Sequence, residues 1–152
     1  MTKCNETTIT YKHEVATAHR LLGHPGKCAH LHGHNYVITT ELKDGSCAHN
    51  GDMVLDFGIA KKVIAEVLDD FYDHAVCLEN GDPLIEAIRA ADPQTKIMIT
   101  EGMRPTAENM AYLMFHLIQT ALSNRVHLDT VVVSVTVQEA EGQCAIFRKK
   151  EG

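Results

Sequence analysis

Over Thr8–His19 the chain alternates, placing Ile9, Tyr11, His13, Val15, Thr17 and His19 at every second position. A period of two marks a strand that turns one face to a core and the other away from it. No other feature limits the fold as strongly, because two further segments follow the same rule. Residues 31–42 are rich in β-branched and aromatic side chains, and in 131–138 Val131, Val133, Val135 and Val137 are expected on one face. Residues 144–149, after a turn at Gly142, read as a last strand, and Lys96–Thr100 as a short one. Gly23, Pro25 and Gly26 make 22–29 a loop, and Gly45 and Gly51 make 43–52 a turn.

Elsewhere the period lengthens to that of a helix. Asp56 is an expected N-cap for a helix over Phe57–Phe71, with Ala60, Val63, Ile64, Val67, Leu68 and Phe71 on its apolar stripe. Asp82-Pro83 opens a shorter helix to residue 90. Thr106 caps a third, to residue 123, whose stripe is Ala107, Met110, Met114, Leu117, Ile118 and Ala121. Strands and helices in separate blocks predict one α+β domain over 1–152, with an antiparallel sheet covered on one face by the two longer helices. The other face is left for solvent or a second subunit.

The net charge of −6 and the lack of a basic cluster argue against a general nucleic-acid binder. No run of about eighteen apolar residues predicts a membrane span, and the polar first ten residues lack a signal-peptide core. The five cysteines are odd in number and form no CxxC, which points to a reducing cytoplasm rather than a disulfide framework.

The ten histidines crowd together at His19, His24, His30, His32 and His34. On a strand His32 and His34 share a face. If the strands ending at His19 and starting near His32 pair as a hairpin, three imidazoles meet and leave one coordination position open, the form of a catalytic zinc site. Gly33 removes bulk between the two ligands. An HxH pair on its own is equally a pair of half-buried polar residues. His24, in the loop, competes as a ligand, and His30 has the wrong parity. His13, His49, His116 and His127 read as surface or structural residues.

Cys28 lies four residues before His32. Beside Lys27 and a bound cation, its thiol gains thiolate character and can act as base or nucleophile. It can equally be a fourth ligand, closing the site into a structural zinc centre of a non-catalytic domain. Cys77 and Cys144 read as inert and buried, Cys4 and Cys47 as incidental. Asp73-His74 is either a proton-transfer unit or a helix-end histidine favoured by the dipole, and neighbours in sequence usually point apart. Glu108 begins a helix and Glu139 ends a strand. Either carboxylate is exposed by position, or accepts hydrogen bonds from a ligand with an N–H edge such as an aminopyrimidine. Arg20 and Lys27 are single basic residues and candidate contacts for a small anion.

Taken in order, Ala16-Thr17-Ala18-His19-Arg20, then 26–36 (GKCAHLHGHNY), Val54-Leu55-Asp56-Phe57, Asp73-His74, Pro105-Thr106-Ala107-Glu108-Asn109 and the strand ending in Glu139 resemble the 6-pyruvoyltetrahydropterin synthase / 6-carboxytetrahydropterin synthase family. The resemblance implies a tunnelling fold whose subunits, as trimers or hexamers, form a barrel with active sites between them. It implies Zn2+ on His19, His32 and His34, a catalytic Cys28 aided by Asp73 and His74, and Glu139 with Glu108 anchoring a pterin triphosphate substrate. The short Cys-x-x-x-His-Gly-His spacing resembles the 6-carboxytetrahydropterin synthases of the queuosine pathway more than the pyruvoyl-forming branch. A folate-associated branch tends to have glutamate near the position of Cys28. Two departures stand out. Asn-Pro-Thr is common where this chain has Arg104-Pro105-Thr106, and residues 81–103 are longer than in compact members.

Overall fold

The computed structural model describes residues 7–45, 53–126 and 129–150. The alternating segments become β1 (Thr8–His19) and β2 (His32–Asp44), which pair antiparallel from Thr8 opposite Lys43 to His19 opposite His32. Strand β5 (Thr130–Ala140) pairs antiparallel with β2, and β6 (Gln143–Arg148) with β5. On the other side of β1 lie β3 (Ala75–Glu79) and then β4 (Lys96–Thr100), both parallel, in the order β4-β3-β1-β2-β5-β6.

The sheet is therefore mixed, antiparallel over four strands and extended by a parallel edge. Parallel neighbours need a crossover, and residues 81–103 supply it: helix α2 (Leu84–Ala91) joins β3 to β4. The longer segment thus builds a β-α-β unit beside β1. Strand β3 was not foreseen, because five residues directly after a helix carry too few alternations to show a period.

Helices α1 (Phe57–Phe71) and α3 (Ala107–Arg125) cover one face of the sheet. Asp56 Oδ1 accepts the N–H groups of Gly58 (2.7 Å) and Ile59 (3.2 Å), and Thr106 Oγ1 accepts that of Asn109 (3.3 Å). These caps satisfy donors that have no partner inside the helix. Beneath lie Val15, Tyr36, Ile38, Leu42, Val135 and Val137 of the sheet, packed with Ile64, Leu68, Met110, Met114 and Ile118. Each such side chain withdrawn from water contributes roughly 1.5–3 kcal/mol. Phe71, expected in the α1 stripe, is 41% exposed, because the chain turns back into the sheet there and Tyr72 takes the buried place.

The run of alternate valines does not stay on one face. Glu41 pairs with Ser134 but Leu42 with Val132, so Val133 is an extra residue in a β-bulge. Val132 is buried while Val131 and Val133 are half-buried on the opposite side. Beyond the bulge Val135 and Val137 point inward, and their parity carries on to Glu139. Among the described residues no helix is long and apolar enough to cross a membrane.

Candidate active site

At the end of the β1–β2 hairpin, His19 lies opposite His32, and His34 follows on the same face. The three rings offer one ligand atom each, all within 4.8 Å of one another. His19 Nδ1 donates to the carbonyl of Pro105 (2.8 Å) and His32 Nδ1 to that of His30 (2.7 Å). A carbonyl only accepts, so each Nδ1 carries a proton, and in a neutral ring the lone pair then lies on Nε2. Among the described residues the buried Nε2 of His34 has no hydrogen-bond partner. Burial, partly opposed by the Pro105 carbonyl, lowers the pKa of His19 and favours its neutral, ligating form. Neutral imidazoles oriented by carbonyls are the donor set that divalent transition metals take, so the cluster suits a metal ion.

Tyr36, wholly buried, continues the face of His32 and His34. Its hydroxyl donates to Glu139 Oε1 (3.1 Å), and its oxygen lies 3.0 Å from His19 Nε2. Glu139 Oε1 is also 3.3 Å from the Nε2 atoms of His19 and His34. Burial first, then the Glu139 charge, raises the Tyr36 pKa, so the phenol keeps its proton. Sequence reasoning gave Tyr36 no role, although the i, i+2 rule that links His32 to His34 extends to it.

Beside the rings opens a cavity of about 520 Å³, lined among others by His19, Cys28, Arg104, Glu108 and Glu139. Cys28 sits in a single 3₁₀ turn, Lys27–Ala29, tied down where its carbonyl accepts the N–H of Leu21 (2.8 Å). The thiol is half-buried and stands outside the ligand cluster. Glu108, in the first turn of α3, is exposed at the cavity wall.

Asp73 and His74 lie elsewhere. His74 adopts φ 55°, which folds its ring back so that Nδ1 lies 2.8 Å from Asp73 Oδ2. Adjacent residues thus do meet, through a left-handed backbone uncommon outside glycine. The Ala16 N–H on Asp73 Oδ1 (3.0 Å), then the His74 contact, hold the Asp73 carboxyl below its usual range. By register Ala75 pairs with Thr17 and Cys77 with His19, so His74 falls in line with Ala16, on the face turned from the helices. There it lines a groove of about 450 Å³ with, among others, Ala16, Ala18, Gly33, His34 and Asn35. Within one chain, Asp73 and His74 do not join Cys28.

Arg20 does not face the cavity as a phosphate contact. Its guanidinium grips Asp82 through Nε (2.7 Å) and a second, shorter contact, and the Asp82 side chain is fully buried. Lys27 is exposed on its turn. His24 lines the cavity but spends Nδ1 on the Gly26 N–H (2.9 Å), and His30 is exposed. His13 bonds Asp69 (2.6 Å), and His116 packs on Tyr112 at the surface of α3. Cys77 is buried, its thiol pushed up to about 12 by burial. Cys144, expected buried, is exposed, because β6 is an edge strand. Cys4, Cys47, His49 and His127 lie outside the described residues.

Residues 8–150 match the 6-pyruvoyl tetrahydropterin synthase family. The chain belongs to this family. Among its curated family relatives, a probable 6-carboxy-5,6,7,8-tetrahydropterin synthase of Halobacterium salinarum is 37% identical, over 82% of this chain and 75% of that protein. The 6-carboxy-5,6,7,8-tetrahydropterin synthase of Rickettsia bellii is 34% identical, over 73% and 75%. Among solved structures of the family, the 6-pyruvoyl tetrahydropterin synthase of Caenorhabditis elegans superposes with a TM-score of 0.64 at 26% identity, covering 95% of this chain and 96% of that one.

Proposed function

We propose that the chain is a zinc-dependent carbon–carbon lyase that converts 7,8-dihydroneopterin triphosphate and one water to 6-carboxy-5,6,7,8-tetrahydropterin, acetaldehyde and triphosphate. The observation that carries the reading is the cluster of His19, His32 and His34, whose ligand atoms lie within 4.8 Å of one another, with His19 lining a cavity that also holds Cys28 and Glu139. The identity to curated 6-carboxytetrahydropterin synthases supports the carboxy branch.

Bound by the three histidines, zinc supplies Lewis acidity toward the hydroxyls of the substrate side chain. Every contact of Glu139 described above uses Oε1. Its second oxygen, with the Glu108 carboxylate, accepts hydrogen bonds from the N–H edge of the pterin. The Cys28 thiolate removes a side-chain proton, whose electron pair delocalises into the ring. The Asp73–His74 pair returns protons. Because that pair lies on the opposite sheet face, it reaches Cys28 from a neighbouring subunit of a trimer or hexamer. Tyr36 holds Glu139 in place.

The test is mass spectrometry of products formed from 7,8-dihydroneopterin triphosphate, with metal analysis of the same sample. Acetaldehyde, 6-carboxytetrahydropterin and about one zinc per chain are expected. A second reading, 6-pyruvoyl tetrahydropterin formation, is favoured by the similarity to the nematode enzyme. It predicts triphosphate elimination with no acetaldehyde. Absence of any pterin product sinks both.

A further inference from the structure

The cavity beside the histidines carries two carboxylates, Glu108 and Glu139. Among the described residues that line it, Arg104 alone carries a fixed positive charge. Its backbone is pinned: the carbonyl accepts the Thr106 N–H (2.8 Å) and Asn109 Nδ2 (2.8 Å). The next residue, Pro105, supplies the carbonyl that orients His19. The side chain is exposed, and among the described residues no carboxylate or carbonyl engages its guanidinium. Of the other cations near the site, Arg20 is paired with the buried Asp82, and Lys27 is exposed on its turn and does not line the cavity. A planar guanidinium on a fixed backbone matches the paired oxygens of a phosphate. A polyanion entering a cavity already lined by two carboxylates needs such a counter-charge.

We propose that Arg104 receives the triphosphate tail of the substrate and so selects phosphorylated over dephosphorylated pterins. The inference rests on the pterin-triphosphate reading above. Arg104 is a binding residue here, and the proton transfers stay with other groups.

Two measurements on the zinc-loaded protein separate the inference from that reading. In the first, wild type, Arg104→Gln and Arg104→Lys turn over 7,8-dihydroneopterin triphosphate. KM rises about tenfold in Arg104→Gln with kcat nearly unchanged, as expected for one lost charge-assisted contact, and Arg104→Lys recovers part of the loss. In the second, calorimetry follows binding of inorganic triphosphate and, separately, of 7,8-dihydroneopterin. Arg104→Gln weakens the former about tenfold and leaves the latter unchanged. Turnover by wild type with equal KM and equal triphosphate affinity in Arg104→Gln overturns the inference and spares the reading. Equal losses for both calorimetric ligands also overturn it, since a general distortion then explains them. No turnover by wild type, with triphosphate affinity still lost in Arg104→Gln, keeps Arg104 as a polyphosphate contact and removes the pterin reading.

Discussion

In β1 and β2, residues one step apart along the strand serve opposite surroundings. His19, His32, His34 and Tyr36 look toward the helices, where they are buried or half-buried and joined to one another, to Pro105 and to Glu139. Ala16, Ala18, Gly33 and Asn35 look away, toward a groove where the His74 side chain is 82% exposed. Small residues line that groove, and a Cβ on Gly33 would lie 3.2 Å from the Thr17 carbonyl. The inner cluster is finished by its own chain. In the outer pair the Asp73 carboxylate is held by the Ala16 N–H and the His74 ring is exposed. On the proposed reading, a chemistry that uses both faces takes them from different copies.

The sharpest test of that contrast is Cys28→Ala. Turnover should fall about 10³-fold while zinc content stays the same, read by product assay and metal analysis on one preparation. Loss of the metal would place the sulfur in the ligand set and end the three-histidine description. Next, His74→Ala should lower turnover about 10²-fold. Refolding it together with Cys28→Ala should restore a measurable fraction of activity, because a mixed assembly regenerates intact sites. Failure of the mixture, with each parent assembling normally, would put both groups in a single chain.

Smaller effects probe how the parallel edge is fastened to the cavity end. Asp82→Ala removes the partner of Arg20 and should cost about 2 kcal/mol in urea unfolding. The Arg20 guanidinium, and to a lesser degree the Leu84 N–H, hold the Asp82 carboxyl below its usual range against the opposing effect of burial. Because the folded pKa is depressed, this stabilisation is fully present above the usual carboxylate value of about 4. It fades as pH falls through the folded value. Asp82→Asn should flatten that acid limb, and an unchanged limb would remove Asp82 from the account. Thr106→Ala should cost about 1 kcal/mol through the lost cap on α3. It should also raise backbone exchange in the first turn, beside the cavity.

The parts of this design that follow from local periodicity could be read directly from the sequence. Parity placed His32 beside His34, and the cap at Asp56 and the bounds of β1 and α1 needed only nearest neighbours. What escaped depended on partners far along the chain. The bulge at Val133 is visible only against Glu41 and Leu42. The commitment of Arg20 follows from Asp82, whose turn is set by the β-α-β crossover. Cys144 is exposed because its strand lies at the sheet edge, which is a property of strand order. Tyr36 was overlooked for another reason: a buried tyrosine on an apolar face looks like packing until Glu139 is brought against its hydroxyl.

The left-handed backbone at His74 has an effect on how this position can vary. A side chain with a Cβ sits there at a cost of about 1 kcal/mol, whereas glycine adopts the same backbone without that steric penalty. Substituting glycine should therefore raise the melting temperature slightly while removing the ring that Asp73 orients. On the proposed role of the ring, durability and usefulness pull in opposite directions at this one residue, and a lineage that lost the need for the imidazole would be expected to drift toward glycine.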